Sequence, residues 1–227
     1  MQIGKHNLIL NFNFFMNKEE YIEIRRSGVE LNSKLMHFDT LTKDRINKAA
    51  KLLGMIDGKI IAMQNENESD FLSDFMLFEK YSGNSRLIDE FYDSEIELAD
   101  LEEEILEGLL NNCSSLYQVV AADKAQYSLQ FRDLLNPSLP ELTVIDINFS
   151  QNYISNVLFF TRLIPIRDLY MSSGAIMGFN FRRVDQLLAD LSVEVFKKRR
   201  KLGQAELFLF FFKKYRQLGL NSYNREV

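Results

Sequence analysis

The strongest constraint on the fold is a change in the spacing of apolar residues along the chain. Before residue 112 they recur every three or four positions, which is the period of one helix face. Over residues 113–181 they alternate with polar residues, as in half-buried strands, and the helical period returns after residue 182. The sequence therefore predicts an α+β protein with a helical N-terminal half, a small β module and two C-terminal helices.

The predicted elements follow from this spacing and from glycine and turn signals. Helices are predicted at 17–34 with a break near Gly28, and at 42–53, 71–81, 86–110, 182–201 and 205–218. A short strand at 59–63 follows the Asp57-Gly58 turn signal. Five further strands are predicted at 116–121, 126–134, 143–149, 157–164 and 175–181. Five short strands in this space suggest an antiparallel small barrel or curled sheet.

Three regions result from this assignment: 1–112, 113–181 and 182–227. The last predicted helix is apolar almost all round at 207–212, so it should be buried. We expect it to pack on the rest of the chain, so that the three regions share one core.

Several short segments carry a resemblance to a known group of proteins. They are Ser115–Val119, Arg132–Leu135, Asp146-Ile147, Thr161–Pro165 and Met171–Ala175, with Leu53–Met55 and Asp74-Phe75 before them. In these segments the chain resembles uncharacterised bacterial proteins in which a helical half precedes a β module. The resemblance covers roughly residues 45–180. It implies this domain plan and a bacterial source, and it implies no function.

Cysteine usage and hydropathy bear on the compartment. Cys113 is the only cysteine, so no internal disulfide can form, which indicates a reducing compartment such as the cytoplasm. No stretch approaches the roughly 20 apolar residues of a membrane helix, so no membrane association is expected. The apolar stretch at 8–16 lacks the cleavage site of a signal peptide. Translation from Met16 instead of Met1 is an alternative that the intact mass would decide.

The charges are distributed unevenly. Residues 86–107 hold ten acidic residues and one basic residue, for a net charge of −9. Residues 196–216 hold eight basic residues and one acidic residue, for a net charge of +7. The two segments could face each other, or the basic segment could meet an outside polyanion.

The candidate contact site is a run of five basic residues that we call the basic segment. It consists of Lys197, Lys198, Arg199, Arg200 and Lys201. These residues could bind nucleic-acid phosphates or an acidic partner, with Phe196 and Tyr215 available for stacking on bases. A solvated helix end is the competing interpretation.

A second pattern, over residues 49–63, matches the spacing of a helix-turn-helix. The Asp57-Gly58 turn signal disfavours a recognition helix there, and Lys59 is the only base that follows before Met63. An ordinary helix, turn and strand is therefore the favoured interpretation.

No catalytic or cofactor signature stands out, and we expect no cofactor. His6 and His37 with one cysteine cannot assemble a zinc site, and His37 is expected to be buried or to cap a helix. Acidic pairs spaced three apart, such as Glu104/Glu107, lie off the apolar stripe and lack histidine partners. A dispersed active site remains an alternative if Arg132, Asp133, Asp146 and Arg162 converge, although ion pairs across a sheet would explain the same residues.

Taken together, the leading interpretation is a non-enzymatic binding or adaptor protein of the bacterial cytoplasm, with another protein as its partner. Nucleic acid is the alternative partner, bound through the basic segment. The second alternative is an enzyme with a dispersed site. The sequence does not indicate an oligomeric state.

Overall fold

The computed structural model describes residues 16–152 and 155–220, and their elements confirm the α+β class. The N-terminal half contains α1 (Lys18–Met36), α2 (Lys43–Leu52), β1 (Ile56–Asp57), β2 (Ile60–Ile61), α3 (Asn67–Phe78), α4 (Leu87–Tyr92) and α5 (Asp100–Leu110). The β module contains β3 (Cys113–Asp123), β4 (Ser128–Asp133), β5 (Leu142–Ile145), α6 (Ile147–Asn152), β6 (Val157–Ile166) and β7 (Leu169–Asn180). A short 3-10 turn leads to α7 (Val184–Lys198) and α8 (Gln204–Leu218).

The β module is a closed five-stranded barrel with the order β3-β4-β5-β7-β6. All neighbouring strands are antiparallel except β5 and β7, which are parallel. The predicted small barrel is therefore confirmed, but the prediction that it is wholly antiparallel is wrong. A helix between the third and fourth strands and a parallel third–fifth pair are the topology of the OB-fold.

The parallel pairing of β5 with β7 follows from the short helix α6 between β5 and β6. The strand predicted over 143–149 ends at Ile145, and α6 begins at Ile147. The Asp146 carboxylate accepts the backbone N–H of Phe149 at 2.8 Å, which stabilises the start of this helix. The Phe149 ring then packs on Phe131 and Phe159, with ring centroids 6.2 and 4.8 Å apart, against the barrel interior. The chain thus passes across one end of the barrel before β6 begins.

Helices cover the outer face of β6 and β7. One apolar cluster joins α3, the barrel and α8, for example through Phe75, Phe160 and Phe211. The Phe211 ring is stacked on Phe160 with centroids 4.3 Å apart. A second cluster joins α1, α4 and α5 to the ends of β6 and β7. The apolar stretch of α8 is buried at Phe208, Phe211 and Phe212, as its composition predicts.

Two helix predictions in the N-terminal half are wrong in their boundaries. Helix α1 continues through Gly28, because the burial of Ile24, Leu31 and Leu35 along one face outweighs a glycine cost of about 1 kcal/mol. The helix predicted at 86–110 is instead two helices, α4 and α5. Ser94 donates its hydroxyl to the Phe91 carbonyl at 2.6 Å and ends the first of them.

The helix-turn-helix alternative is also excluded. Helix α2 ends near Gly54, whose φ is +66°, as a glycine C-cap predicts. The following residues form the β1–β2 hairpin in place of a recognition helix, with Ile56 paired to Ile61. The favoured interpretation of helix, turn and strand is therefore confirmed.

Gly108 provides a stability prediction for the contact between α5 and β6. A Cβ atom at Gly108 would lie 2.2 Å from the backbone oxygen of Pro165. Gly108→Ala should therefore lower the free energy of unfolding by about 1–3 kcal/mol, although alanine is normally the better helix residue. The control is Gly28→Ala in α1, where nothing lies within 4 Å of the added atom, and it should stabilise by about 0.5–1 kcal/mol. Urea denaturation measures both, and stabilisation by Gly108→Ala would show that α5 does not approach the barrel this closely.

Candidate functional site

The basic segment lies at the turn between α7 and α8. Helix α7 ends at Lys198, and Arg199 follows in the left-handed conformation with a φ of +54°. Gly203 then precedes the first residue of α8. We call this end of the two helices, residues 193–203, the hairpin tip.

Glu206 neutralises part of the basic segment. Its carboxylate accepts hydrogen bonds from both terminal nitrogens of Arg200, each at 2.7 Å. It also accepts hydrogen bonds from Lys198 Nζ and from the backbone N–H of Gly203, each at 3.0 Å. The hydrogen bonds from Arg200, with those from Gly203 and Lys198, lower the pKa of Glu206 to about 2. Two of the five bases therefore hold the turn in place through Glu206.

The other three bases face solvent. Lys197 lies 3.9 Å from Glu194, a long contact in which the lysine side chain is 66% exposed. Within residues 16–152 and 155–220, neither Arg199 nor Lys201 forms an ion pair. Next to them, Phe196 has 83% of its surface exposed and Val193 has 51%. The hairpin tip thus combines an apolar surface with free positive charge.

The acidic and basic segments do not pair with each other in the part of the chain that is described. In the acidic segment, Glu102 pairs with Lys34 and Glu104 with Arg167. In the basic half, Lys214 pairs with Asp190 and Arg216 with the fully buried Glu68. The interpretation that the acidic and basic segments face each other is therefore wrong for the ion pairs of the described residues.

The polar strand residues considered for a dispersed active site do not converge. Arg132 pairs with Glu141 on the barrel surface, and Asp133 accepts the Ser115 hydroxyl at 2.5 Å. Asp146 caps α6, and Arg162 is buried with Asp74 and Glu79 as its ion-pair partners. Among the described residues there is also no group of three or more histidine, cysteine, aspartate or glutamate side chains that could hold a metal.

The single histidine in the described range has a structural position. His37 is the C-cap residue of α1, and its Nδ1 lies 2.7 Å from the Ser33 carbonyl oxygen. Its expected capping role is confirmed. Cys113 is exposed, and its Sγ lies 3.7 Å from the Tyr117 hydroxyl.

A second candidate site lies between the helices and the barrel, where the sequence analysis predicted nothing. A pocket of about 460 Å³, which we call the interlayer pocket, is lined by residues of α1, α3, α5, β6 and β7 and is open to solvent. Most of its walls are apolar, including Leu77, Phe78, Ile105 and Ile164.

A bulge in β7 forms one wall of this pocket. Thr161 pairs with Ile176 and Leu163 with Ser172, so β7 carries two more residues than β6 between these pairs. The extra length contains Gly174, whose φ of +95° is a conformation that favours glycine. Ser172, Ser173, Gly174 and Ala175 all line the pocket. Bulges are frequent next to binding sites because they redirect side chains in this way.

Arg162 lies fully buried behind this wall and organises the polar groups around it. Its Nε and Nη2 each donate to Asp74 Oδ1 at 2.9 Å, and Nη2 also donates to Glu79 Oε1 at 2.7 Å. Nη1 donates to the side-chain oxygen of Asn112, and the guanidinium carbon lies 4.6 Å from the centre of the Phe78 ring. We call Arg162, Asp74, Glu79 and Asn112 the buried tetrad.

Two polar atoms at the pocket remain without a partner among the described residues. They are Asp74 Oδ2 and Ser173 Oγ, and both atoms are inaccessible to solvent. Asp74 as a whole is 5% exposed. Such atoms are rare in folded proteins, because each costs about 1–3 kcal/mol when it is left unsatisfied.

Glu79 gives a pH prediction. Burial raises the pKa of Glu79 above its ordinary value of 4.5, against the opposing effect of Arg162. The folded chain therefore holds this proton more tightly than the unfolded chain does. The resulting stabilisation is complete below pH 4.5 and is lost as the pH rises through the pKa of the folded state.

Glu79→Gln removes this titration and keeps a side-chain oxygen that can accept from Arg162. Relative to Glu79→Gln, the wild type should lose stability as the pH rises from about 4.5. Urea denaturation of both proteins across a pH series measures the difference in free energy of unfolding. A difference that is constant with pH, or that moves in favour of the wild type as the pH rises, would contradict the raised pKa.

Comparison with known proteins identifies a family for most of the chain. The family described as "Family of unknown function (DUF7986)" matches residues 16–225. No curated protein and no solved structure matches the chain. Among the described residues, no helix is both long enough and apolar enough to cross a membrane.

Proposed function

The chain belongs to the DUF7986 family of unknown function, and we propose that it is a non-enzymatic binding protein that docks a partner protein at the hairpin tip. The observation that carries this proposal is the apolar surface of Phe196 and Val193, which are 83% and 51% exposed, because exposed apolar surface rimmed by charged residues marks interaction sites. The single cysteine and the resemblance to bacterial proteins favour the bacterial cytoplasm as its setting.

The chemistry of the tip selects the partner. Phe196 and Lys197 lie three and four positions after Val193 on α7, so each of them neighbours Val193 on the helix surface. Arg199 and Lys201 extend the positive charge beyond the helix end. The complementary surface is an acidic protein segment with an apolar side chain that covers Phe196. Aromatic anchors within a polar rim are typical of protein interfaces.

Nucleic acid is the alternative partner, since Phe196 is free to stack on a base. Three observations count against it. Tyr215, the second candidate for stacking, is buried against Phe71 with ring centroids 5.1 Å apart. Two of the five bases, Lys198 and Arg200, are already paired with Glu206.

The third observation concerns the barrel surface with which OB-folds bind oligonucleotides. In this chain, the outer face of β4 and β5 is occupied by a Gln130–Thr143 hydrogen bond and the Arg132–Glu141 ion pair. The described outward positions here hold no aromatic residue and no unpaired base. The barrel therefore offers little to a nucleic acid.

The test is affinity capture from a bacterial lysate with the double variant Lys197→Glu, Lys201→Glu. These two positions avoid Lys198 and Arg200, so the pairs with Glu206 stay intact. The control variant is Lys43→Glu, Lys124→Glu, which changes the net charge equally at exposed positions elsewhere. All three proteins are compared with and without nuclease.

The proposal expects one acidic protein to be captured by the wild type and the control after nuclease treatment. The tip variant should retain it at least about tenfold more weakly, which corresponds to about 1.4 kcal/mol. Loss of the captured material on nuclease treatment would favour nucleic acid. Equal capture by the tip variant would refute the hairpin tip as the contact surface.

A further inference from the structure

The hairpin tip has a chemical complement on the same chain, in the loop between α4 and α5. We call residues 92–97 of this loop the acidic loop. We propose that the partner of the hairpin tip is a second copy of this chain, with the tip of one copy against the acidic loop of the other. This inference rests on the proposed function, because it names the partner of the same surface.

The acidic loop carries free negative charge. Asp93, Glu95 and Glu97 are exposed, and none of them forms an ion pair in the described part of the chain. Asp100 and Glu103 follow on α5 as two further exposed carboxylates that are equally unpaired there. This surface therefore presents acids without cations, whereas the hairpin tip presents cations without acids.

The acidic loop also exposes apolar side chains. Tyr92 is 58% exposed, and Ile96, which lies between two glutamates, is 41% exposed. At the hairpin tip, Phe196 and Val193 are exposed in the same way. Both surfaces thus combine apolar area with unpaired charge, and the charges have opposite signs. Such pairs of surfaces attract each other and exclude partners of the wrong sign.

The acidic loop is anchored at both ends. Phe91 before it is 1% exposed and packs edge to face on Phe38, with ring centroids 5.3 Å apart. Leu98 after it packs against the same apolar cluster. The bond from the Ser94 hydroxyl to the Phe91 carbonyl fixes the turn between these anchors. A loop held in this way loses less conformational freedom when it binds than a free segment would.

The fold does not bring the two surfaces together within one chain. The acidic loop follows α4, which packs in the cluster of α1 and α5. The hairpin tip ends α7, whose buried Leu187 belongs to the cluster of α3, the barrel and α8. No ion pair between described residues joins 86–107 to 196–216. A head-to-tail contact between copies is therefore the arrangement that pairs these surfaces.

The size of the contact sets the expected affinity. The acidic loop has six residues, and the hairpin tip is one helix end. Small contacts of this kind are typical of weak and transient association, for which we expect a Kd of about 10–100 µM. Added salt should weaken the association, because the charges on both surfaces are exposed to solvent.

Sedimentation velocity of the purified full chain tests the proposal over about 5–500 µM protein in about 0.1 M salt. The average mass of the wild type should rise with concentration. Two variants reverse the charges, Lys197→Glu, Lys201→Glu at the tip and Glu95→Lys, Glu97→Lys in the acidic loop. Each variant alone should associate at least about tenfold more weakly, because like charges then face each other across the contact.

The matched control for the loop variant is Glu23→Lys, Glu30→Lys. It changes the net charge equally at two exposed positions of α1 that form no ion pair with described residues. The control for the tip variant is again Lys43→Glu, Lys124→Glu. Both control variants should associate as the wild type does.

An equal mixture of the tip variant and the loop variant restores both charge pairings. The reversed tip of one variant meets the reversed loop of the other, and the unchanged tip and loop also meet. The mixture should therefore associate about as strongly as the wild type. Because each variant must bind the other, this result also shows that both variants are folded.

Three outcomes would overturn the proposal. They are a wild type that stays monomeric over this range, a charge-reversed variant that associates like the wild type, and a mixture that associates no better than its components. A monomeric wild type whose tip still captures another protein from lysate would leave the proposed function standing. The two proposals therefore fail separately.

Discussion

Arg162→Met should lower the free energy of unfolding by about 3–5 kcal/mol, measured by urea denaturation at neutral pH. Methionine replaces the volume of the side chain but not its charge or its donors. Asp74 and Glu79 would then remain buried, 5% and 2% exposed, without the cation that compensates them. The cost comes chiefly from these stranded carboxylates, because a buried charge without a partner loses its hydration and gains nothing in return.

Arg132→Met is the matched control for this prediction. Arg132 lies on the neighbouring surface of the same barrel, and its pair with Glu141 has side chains that are 51% and 41% exposed. Exposed pairs contribute about 0–1 kcal/mol, so this variant should stay close to the wild type. If Arg162→Met cost no more than Arg132→Met, the buried tetrad would not be a stabilising element of the fold.

Phe211→Ala should cost about 3–5 kcal/mol, because it leaves a cavity where α8 meets the barrel. Phe211 is fully buried and lies against Phe160 and Phe179, with ring centroids 4.3 and 6.1 Å apart. The substitution removes these ring contacts together with the apolar area. Thermal and urea unfolding of the full chain measure the loss.

Phe196→Ala controls for the loss of an aromatic ring in the same pair of helices. Phe196 is almost fully exposed, so its removal should change stability by no more than about 0.5 kcal/mol. The pair of variants also separates fold from function, since Phe196→Ala should keep stability and lose partner binding. A small effect of Phe211→Ala would contradict the burial of α8 against the barrel, and a large effect of Phe196→Ala would contradict the exposure of Phe196 on α7.

Much of the fold could be predicted from periodicity alone. The alternation around Phe131 and the helical spacing around Leu187 each reflect which face is buried, so strands and helices were recognisable without tertiary information. The predictions that failed concern features that are set by contacts with residues distant in the sequence. The parallel β5–β7 pair requires the passage of α6 across the barrel end, and the continuity of α1 through Gly28 requires the packing of its buried face.

The two sites differ in how far the sequence could indicate them. The basic segment is continuous in the chain, so its position was visible, although its pairing with Glu206 depends on the turn geometry. The buried tetrad joins Asp74 and Arg162, which are 88 positions apart. No spacing rule relates such residues. Three segments that carry the bacterial resemblance contribute residues to the pocket: Asp74-Phe75, 161–165 and 171–175. They are distant in sequence, so only the tertiary structure shows that they are neighbours.

Site-specific photo-cross-linking tests most directly whether the hairpin tip contacts a partner protein, as we propose. p-Benzoylphenylalanine is placed at Phe196 and, as a control, at Leu139, which is also exposed but lies on the barrel side of the molecule. We expect irradiation in nuclease-treated bacterial lysate to give one discrete protein adduct at position 196, none at position 139, and none at 196 when Lys197→Glu, Lys201→Glu are added. Equal adducts at both positions, or an adduct at 196 that ignores the charge reversal, would contradict the claim.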